Sequence, residues 1–141
     1  MMITLPPDLI ARLRANSDAT RAAQRADRDE PDHLPVIKLF NRLGSATWIA
    51  TELDADGDTL FGLADLGFGC PELGVFSLAE IASVRLPFGL GIERDLYFVG
   101  RFPLSVYADA ASATGRVTEA ERVLSAAAAA LRRRAPEGGA S

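Results

Sequence analysis

The sequence predicts an α+β domain: an antiparallel sheet of four or five strands, built on a meander, with a C-terminal helix packed on one face. Three observations predict it. Strand-like runs are grouped between residues 35 and 66, with helix-like runs at the two ends of the chain. Such grouping, as opposed to strict strand–helix alternation, marks the α+β class. The first three strand-like runs are joined by two five-residue turns, which suit hairpins and are too short for a parallel crossover. The strongest helical pattern, residues 117–134, is also the last. A length of 141 residues fits a single domain, and 48% apolar content excludes a wholly disordered chain.

The elements follow in order. Residues 6–15 (PPDLIARLRA) read as a short helix: two prolines suit its start, Asp8 suits the positive end of its dipole, and Leu9, Ile10 and Leu13 share a face. Residues 16–34 carry mixed charges and, before Leu34, no large apolar side chain, so they read as a linker or an exposed second helix that Pro31 ends. Together, residues 1–34 form an N-terminal helix and polar linker ahead of the main domain at 35–134. Val36–Phe40, Thr47–Leu53 and Leu60–Leu66 are strands, and Asp56-Gly57 supplies the turn dipeptide between the last two. On the middle strand, strict alternation places Thr47, Ile49, Thr51 and Leu53 on one face, with Trp48, Ala50 and Glu52 on the other.

A glycine-rich connection, Gly67–Phe76, leads into a short strand. Ser77 and Glu80 have capping-box spacing and open a helix. Residues 85–94 form a loop, Leu96–Val99 a strand, and Pro103–Ala111 a short helix. The last helix begins at Val117 with a second capping box, Thr118 and Glu121, and shows an apolar stripe through Leu124, Ala128 and Leu131. Residues 135–141 read as a disordered tail.

Charge is unevenly spread. Between Arg42 and Arg85 there is no Lys or Arg, while Glu52, Asp54, Asp56, Asp58, Asp65, Glu72 and Glu80 lie there, a local −7 in a chain of net −4. An acidic surface of this kind suits a basic protein partner and repels nucleic acid. One His and one Cys leave little for metal or nucleophile schemes, so no metal and no cofactor are expected. Cys70 reads as a turn or core thiol in a reducing, cytoplasmic setting, and neither a signal peptide nor a membrane span is read. DADGD (residues 54–58) departs from a calcium loop, because Thr59 stands where that loop needs Gly; it reads as a hairpin turn.

The segments PVIKLF, ATWIATELD, FGLADLGFGCPELG, SLAEIASVR and GLGIERDLYF, in this order over residues 35–98, resemble the bacterial family designated domain of unknown function 2958. The resemblance implies an accessory protein of mobile DNA and supplies no catalytic residues. A His is common in the family pattern where this chain has Tyr97, a departure that weakens a shared enzymatic reading.

Three functions are weighed. The first is a non-enzymatic protein-binding module of a mobile element, blocking a host defence or nucleic-acid-binding protein. Its acidic residues are Asp54, Asp56 and Asp58, and its loop anchors are Phe68, Leu73, Phe88 and Leu90. The second is a small hydrolase-like enzyme using Asp65, Glu72, Glu93, Arg94 and Asp95, the structural alternative being that these acids cap turns or pair with arginines. The third is a nucleic-acid-associated protein using the basic ends, Arg12–Arg28 and Arg132–Arg134.

Overall fold

The computed structural model describes residues 3–134, so the expectation for residues 135–141 lies outside the described residues. Helix α1 runs unbroken over Pro7–Arg25. It does not stop near Ala15, because Ser17, Thr20 and Ala23 continue the buried face begun by Leu13. Small side chains at this spacing bring the helix onto strand β2 (Thr47–Leu53), and Asn16 Nδ2 donates to the Thr51 carbonyl at 2.9 Å. The lack of large apolar residues that reads as a linker is therefore the mark of a close helix–sheet contact. The helix ends before Pro31, where Asp27 takes a left-handed φ of 54°.

The other elements are β1 (Ile37–Phe40), β3 (Thr59–Asp65), β4 (Glu72–Ser77), α2 (Leu78–Ala82), a 3-10 turn (Pro87–Gly89), β5 (Glu93–Arg94), α3 (Leu104–Thr114) and α4 (Glu121–Arg134). The sheet is five-stranded and antiparallel throughout, in the order β4-β3-β2-β1-β5. The meander is thus β1 to β4, and β5 closes its other edge. Leu96–Val99 is not a strand. Asp95 Oδ1 accepts from Tyr97 N at 2.9 Å, and this side-chain turn ends the pairing two residues after it starts.

Strict alternation fails on β2. Ala50 faces Gly62 and Glu52 faces Phe61, so Thr51 is an extra residue, a β-bulge. The bulge returns Leu53 to the face of Trp48 and Ala50, against α1, while Ile49 faces the opposite side. Trp48 and Phe61 lie on opposite faces of the sheet. Gly62 serves the bulge: a Cβ there would lie 1.9 Å from the Ile49 carbonyl oxygen.

The sheet carries a core on each face. Leu13, Leu39, Trp48, Leu53 and Leu60 pack beneath α1. Ile49 and Leu63 pack with Leu104, Tyr107, Ala111, Leu124 and Ala128 of the two C-terminal helices. α4 starts at Glu121, later than its sequence pattern, because Val117 N is held by Asp65 and Thr118 Oγ1 closes a turn on Ala120 N. α2 starts where expected: Ser77 Oγ accepts from Glu80 N at 3.1 Å.

Candidate functional site

The acids of the β2–β3 hairpin are occupied by local work. Asp54 pairs with Arg21 of α1. Asp58 accepts from Ser77 Oγ at 2.6 Å and Ala79 N at 2.7 Å, adding a second cap to α2. Asp56 closes the turn by accepting from Asp58 N and Thr59 N, each at 2.8 Å, and from Thr59 Oγ1 at 2.6 Å. These bonds, the Thr59 hydroxyl first, hold the Asp56 carboxyl down at about 2. Because the folded value is depressed, the turn's contribution is present above the ordinary carboxylate range and lost as pH falls toward about 2. NMR titration is expected to place the Asp56 midpoint near 2, and Thr59→Ala to move it back toward the ordinary carboxylate range. An unmoved midpoint in that variant sinks the assignment.

The acids proposed for catalysis do not converge: Asp65 and Glu72 lie on neighbouring strands but face opposite sides of the sheet, and the others lie elsewhere. Asp65 is only 3% exposed, and its carboxylate accepts from Gly67 N at 2.9 Å and Val117 N at 3.0 Å. Glu93 makes a two-pronged pair with Arg42, both contacts at 2.7 Å, and this hydrogen bonding lowers its pKa. Asp95 pairs with Lys38. Glu93, Arg94 and Asp95 stand at or beside β5, whereas Glu72 begins β4 at the other edge of the sheet. Four strand spacings separate those edges, about 19 Å at about 4.8 Å each. Phe68 is 82% exposed in the β3–β4 connection; Phe88 is 91% exposed in the turn after α2, at a left-handed φ of 64°. Leu90 is half-buried. Cys70 is exposed in the β3–β4 connection. Among the described residues no helix is long and apolar enough to cross a membrane.

What the fold does bring together is an open sheet edge and an acid-lined groove. β4 is the edge strand. Leu73 lies opposite Leu63 and Val75 opposite Phe61, so both point to the face that α3 and α4 cover elsewhere. The helices do not reach them: Leu73 is 50% and Val75 70% exposed. The ladder also has a definite phase. Leu78 N bonds Asp58 O at 3.0 Å, and in an antiparallel pair hydrogen-bonded positions alternate. Counting back through the register, residues 72, 74 and 76 turn their backbone groups toward β3. Leu73 and Val75 turn theirs outward.

Beside these residues is a recess of about 210 Å³ lined by Phe61 and Val75 and by Thr20, Arg21, Gln24, Glu30, Glu52 and Asp54. A second recess of about 140 Å³ adjoins it, sharing Glu30, Glu52 and Phe61 and adding Asp32, His33, Leu73 and Ser105. Thr20 Oγ1 donates to Glu52 Oε2 at 3.0 Å. That commits its one proton, so His33 Nε2–H donates to the same oxygen, also at 3.0 Å. Gln24 Nε2 donates to Glu30 at 3.1 Å, and Asp32 accepts from the backbone and hydroxyl of Ser105, capping α3. Glu30, Asp32 and Glu52 therefore accept hydrogen bonds from neutral donors only. Asp54, also on the recess, pairs with Arg21, and Glu93, Asp95, Asp109, Glu119 and Glu121 elsewhere pair with Lys or Arg. Burial raises the Glu52 pKa above the ordinary carboxylate value.

The model of a family described as "Protein of unknown function (DUF2958)" matches residues 4–118. The chain belongs to this family. The family span begins just ahead of α1 and ends before α4, so the open edge and the whole groove lie inside it. It is wider than the stretch over residues 35–98 that carries the resemblance, and it includes all of α1. Searches of curated proteins and of solved structures return no match.

Sequence reasoning picked out Asp54, Leu73 and the loop beside them, but missed Glu30, Asp32, His33, Glu52 and Val75 as parts of a site. Their pairing depends on α1 reaching Arg25 and on the bulge at Thr51. A usable signal lay in α1 alone: Leu13, Ser17, Thr20 and Ala23 keep helical spacing into the segment that reads as a linker.

Proposed function

We propose that the protein is a non-enzymatic binding module of a mobile element that docks a protein partner in the cytoplasm. Docking takes place on the β4 edge and the groove beside it. The observation that carries this reading is the undefended edge. Exposed strand edges are commonly blunted by Lys, Pro, a bulge or extreme shortness. β4 has six residues, none of them Lys or Pro, no register break against β3, and two exposed apolar side chains beside its outward backbone groups. An edge left in this state is a template for another strand. The enzyme reading loses support, because Asp65, Glu93 and Asp95 are engaged in turns and ion pairs, and Glu93 and Asp95 stand at the sheet edge opposite Glu72. Blocking a basic host defence or nucleic-acid-binding protein is the role that fits the acidity of this face.

The test is site-specific photo-crosslinking in host lysate. A photoreactive residue at position 75 is expected to capture a discrete partner, and one at Ser112, exposed on α3, is not. Leu73→Lys is expected to reduce capture from position 75 at least tenfold. Equal capture from both positions, or none from 75, overturns the reading.

A further inference from the structure

We infer that the occupant of the β4 edge is an extended segment of a partner protein with Arg or Lys at every second residue, added to the sheet as a sixth strand with its basic side chains over the groove. The inference rests on the edge-docking reading and adds the chemistry and geometry of the occupant.

Geometry comes first. The outward N–H and C=O groups belong to Leu73 and Val75, whose side chains point to the groove side. In a strand paired with them, the residues directly opposite put their side chains on that same face. The intervening residues point to the other face, away from the groove. The occupant is therefore read at alternate positions.

Charge chooses what stands there. The new strand would lie about 4.8 Å beyond β4. A side chain must cross Leu73 or Val75 to reach the groove, which needs a long stem with an apolar body and a polar head. Arg and Lys have this form and lay their methylenes on apolar surface. The head then meets Glu30 and Glu52, carboxylates that line the groove and accept hydrogen bonds there from Gln24 and Thr20, with no Lys or Arg ion pair. Burial disfavours the charged form of Glu52, a desolvation cost that a bound cation would offset. The same charges argue against a second copy of this chain, since edge-to-edge pairing would set Glu72 and the groove acids of one copy against those of the other.

The experiment uses the full chain, uniformly labelled with nitrogen-15, and three capped eight-residue peptides alternating Arg, Gln or Glu with Thr. The Arg peptide is expected to slow amide exchange at Leu73 and Val75 at least tenfold, leaving Gly74 unchanged. It is expected to bind at least tenfold more tightly than the Gln peptide, with the Glu peptide not binding. Methylating alternate backbone nitrogens of the Arg peptide is expected to abolish the protection with the protein untouched. Glu52→Gln with Glu30→Gln is expected to weaken the Arg peptide at least tenfold without lowering the melting temperature, since each change removes a charge that no cation balances. If Arg and Gln peptides protect the two amides equally, the basic-occupant inference falls and edge docking stands. If the Arg peptide binds without protecting them, or fails to bind, the added strand falls. Edge docking is judged separately by the crosslink at position 75.

Discussion

Gly62→Ala is expected to destabilise the protein by about 3–5 kcal/mol, a large part of what holds a domain of this size together. The added methyl would sit 1.9 Å from the Ile49 carbonyl oxygen and 2.8 Å from the Ala50 Cα, both backbone atoms that no side-chain rotation can move aside. Relief requires β2 and β3 to part at the bulge, which breaks the ladder where Ala50 faces Gly62. Urea unfolding checks this: the midpoint should fall sharply with little change in slope. Gly74→Ala is the matched control, because Gly74 lies opposite Gly62 on β4 and a Cβ there meets nothing within 4 Å. That change should be neutral or should stabilise by up to about 1 kcal/mol, the usual gain on replacing Gly in a strand. Equal midpoints for the two variants would remove the close approach as the reason for Gly62.

The second large effect is at Asp65. Asp65→Ala is expected to cost about 3–5 kcal/mol, because two amides lose a buried charged acceptor at about 1–3 kcal/mol each. Those amides belong to Gly67, at the start of the β3–β4 connection, and Val117, in the approach to α4. One buried carboxylate thus ties the meander to the C-terminal helices across 52 residues of sequence. Asp65→Asn should cost less, since one oxygen remains for one of the two amides. Hydrogen exchange supplies the specific readout: Gly67 and Val117 should both lose protection in the Ala variant. Full stability in that variant, with binding lost, would return Asp65 to the functional residues.

Much of the fold was legible in the residues. Three β-rich runs with two five-residue turns define the meander, because the turns are too short for any other connection. Ser77 and Glu80 mark the start of α2, because a hydroxyl three residues before a free N–H can bond it whatever lies around it. Errors arose where a competing hydrogen bond, near or far in sequence, overrode a local pattern. Thr118 and Glu121 have the same capping spacing, yet Asp65 draws Val117 into a different turn. Leu96–Val99 has strand composition, yet Asp95 bonds Tyr97 N and turns the chain away.

The candidate site was less legible than the fold. The acidity of residues 43–84 was plain in the sequence, but the division of its acids was not. Asp56, Asp58 and Asp65 bind backbone or hydroxyl donors, Asp54 pairs with Arg21, and Glu52 has Thr20 alone. Formal charge counts every carboxylate alike, whereas the field a partner meets depends on which have been neutralised nearby.

By itself, the sequence determined the α+β class, the order of the meander strands, the helix at the C-terminal end, the acidic centre and the family. These follow from periodicity, turn length, composition and motif order, which are properties of neighbouring residues. Only the tertiary structure decided that α1 continues over β2, that a bulge at Thr51 redirects Leu53, and that Leu73 and Val75 stay uncovered beside Glu30 and Glu52. The physical reason is that each of these is a competition between segments far apart in sequence for the same space, hydrogen bonds or charge.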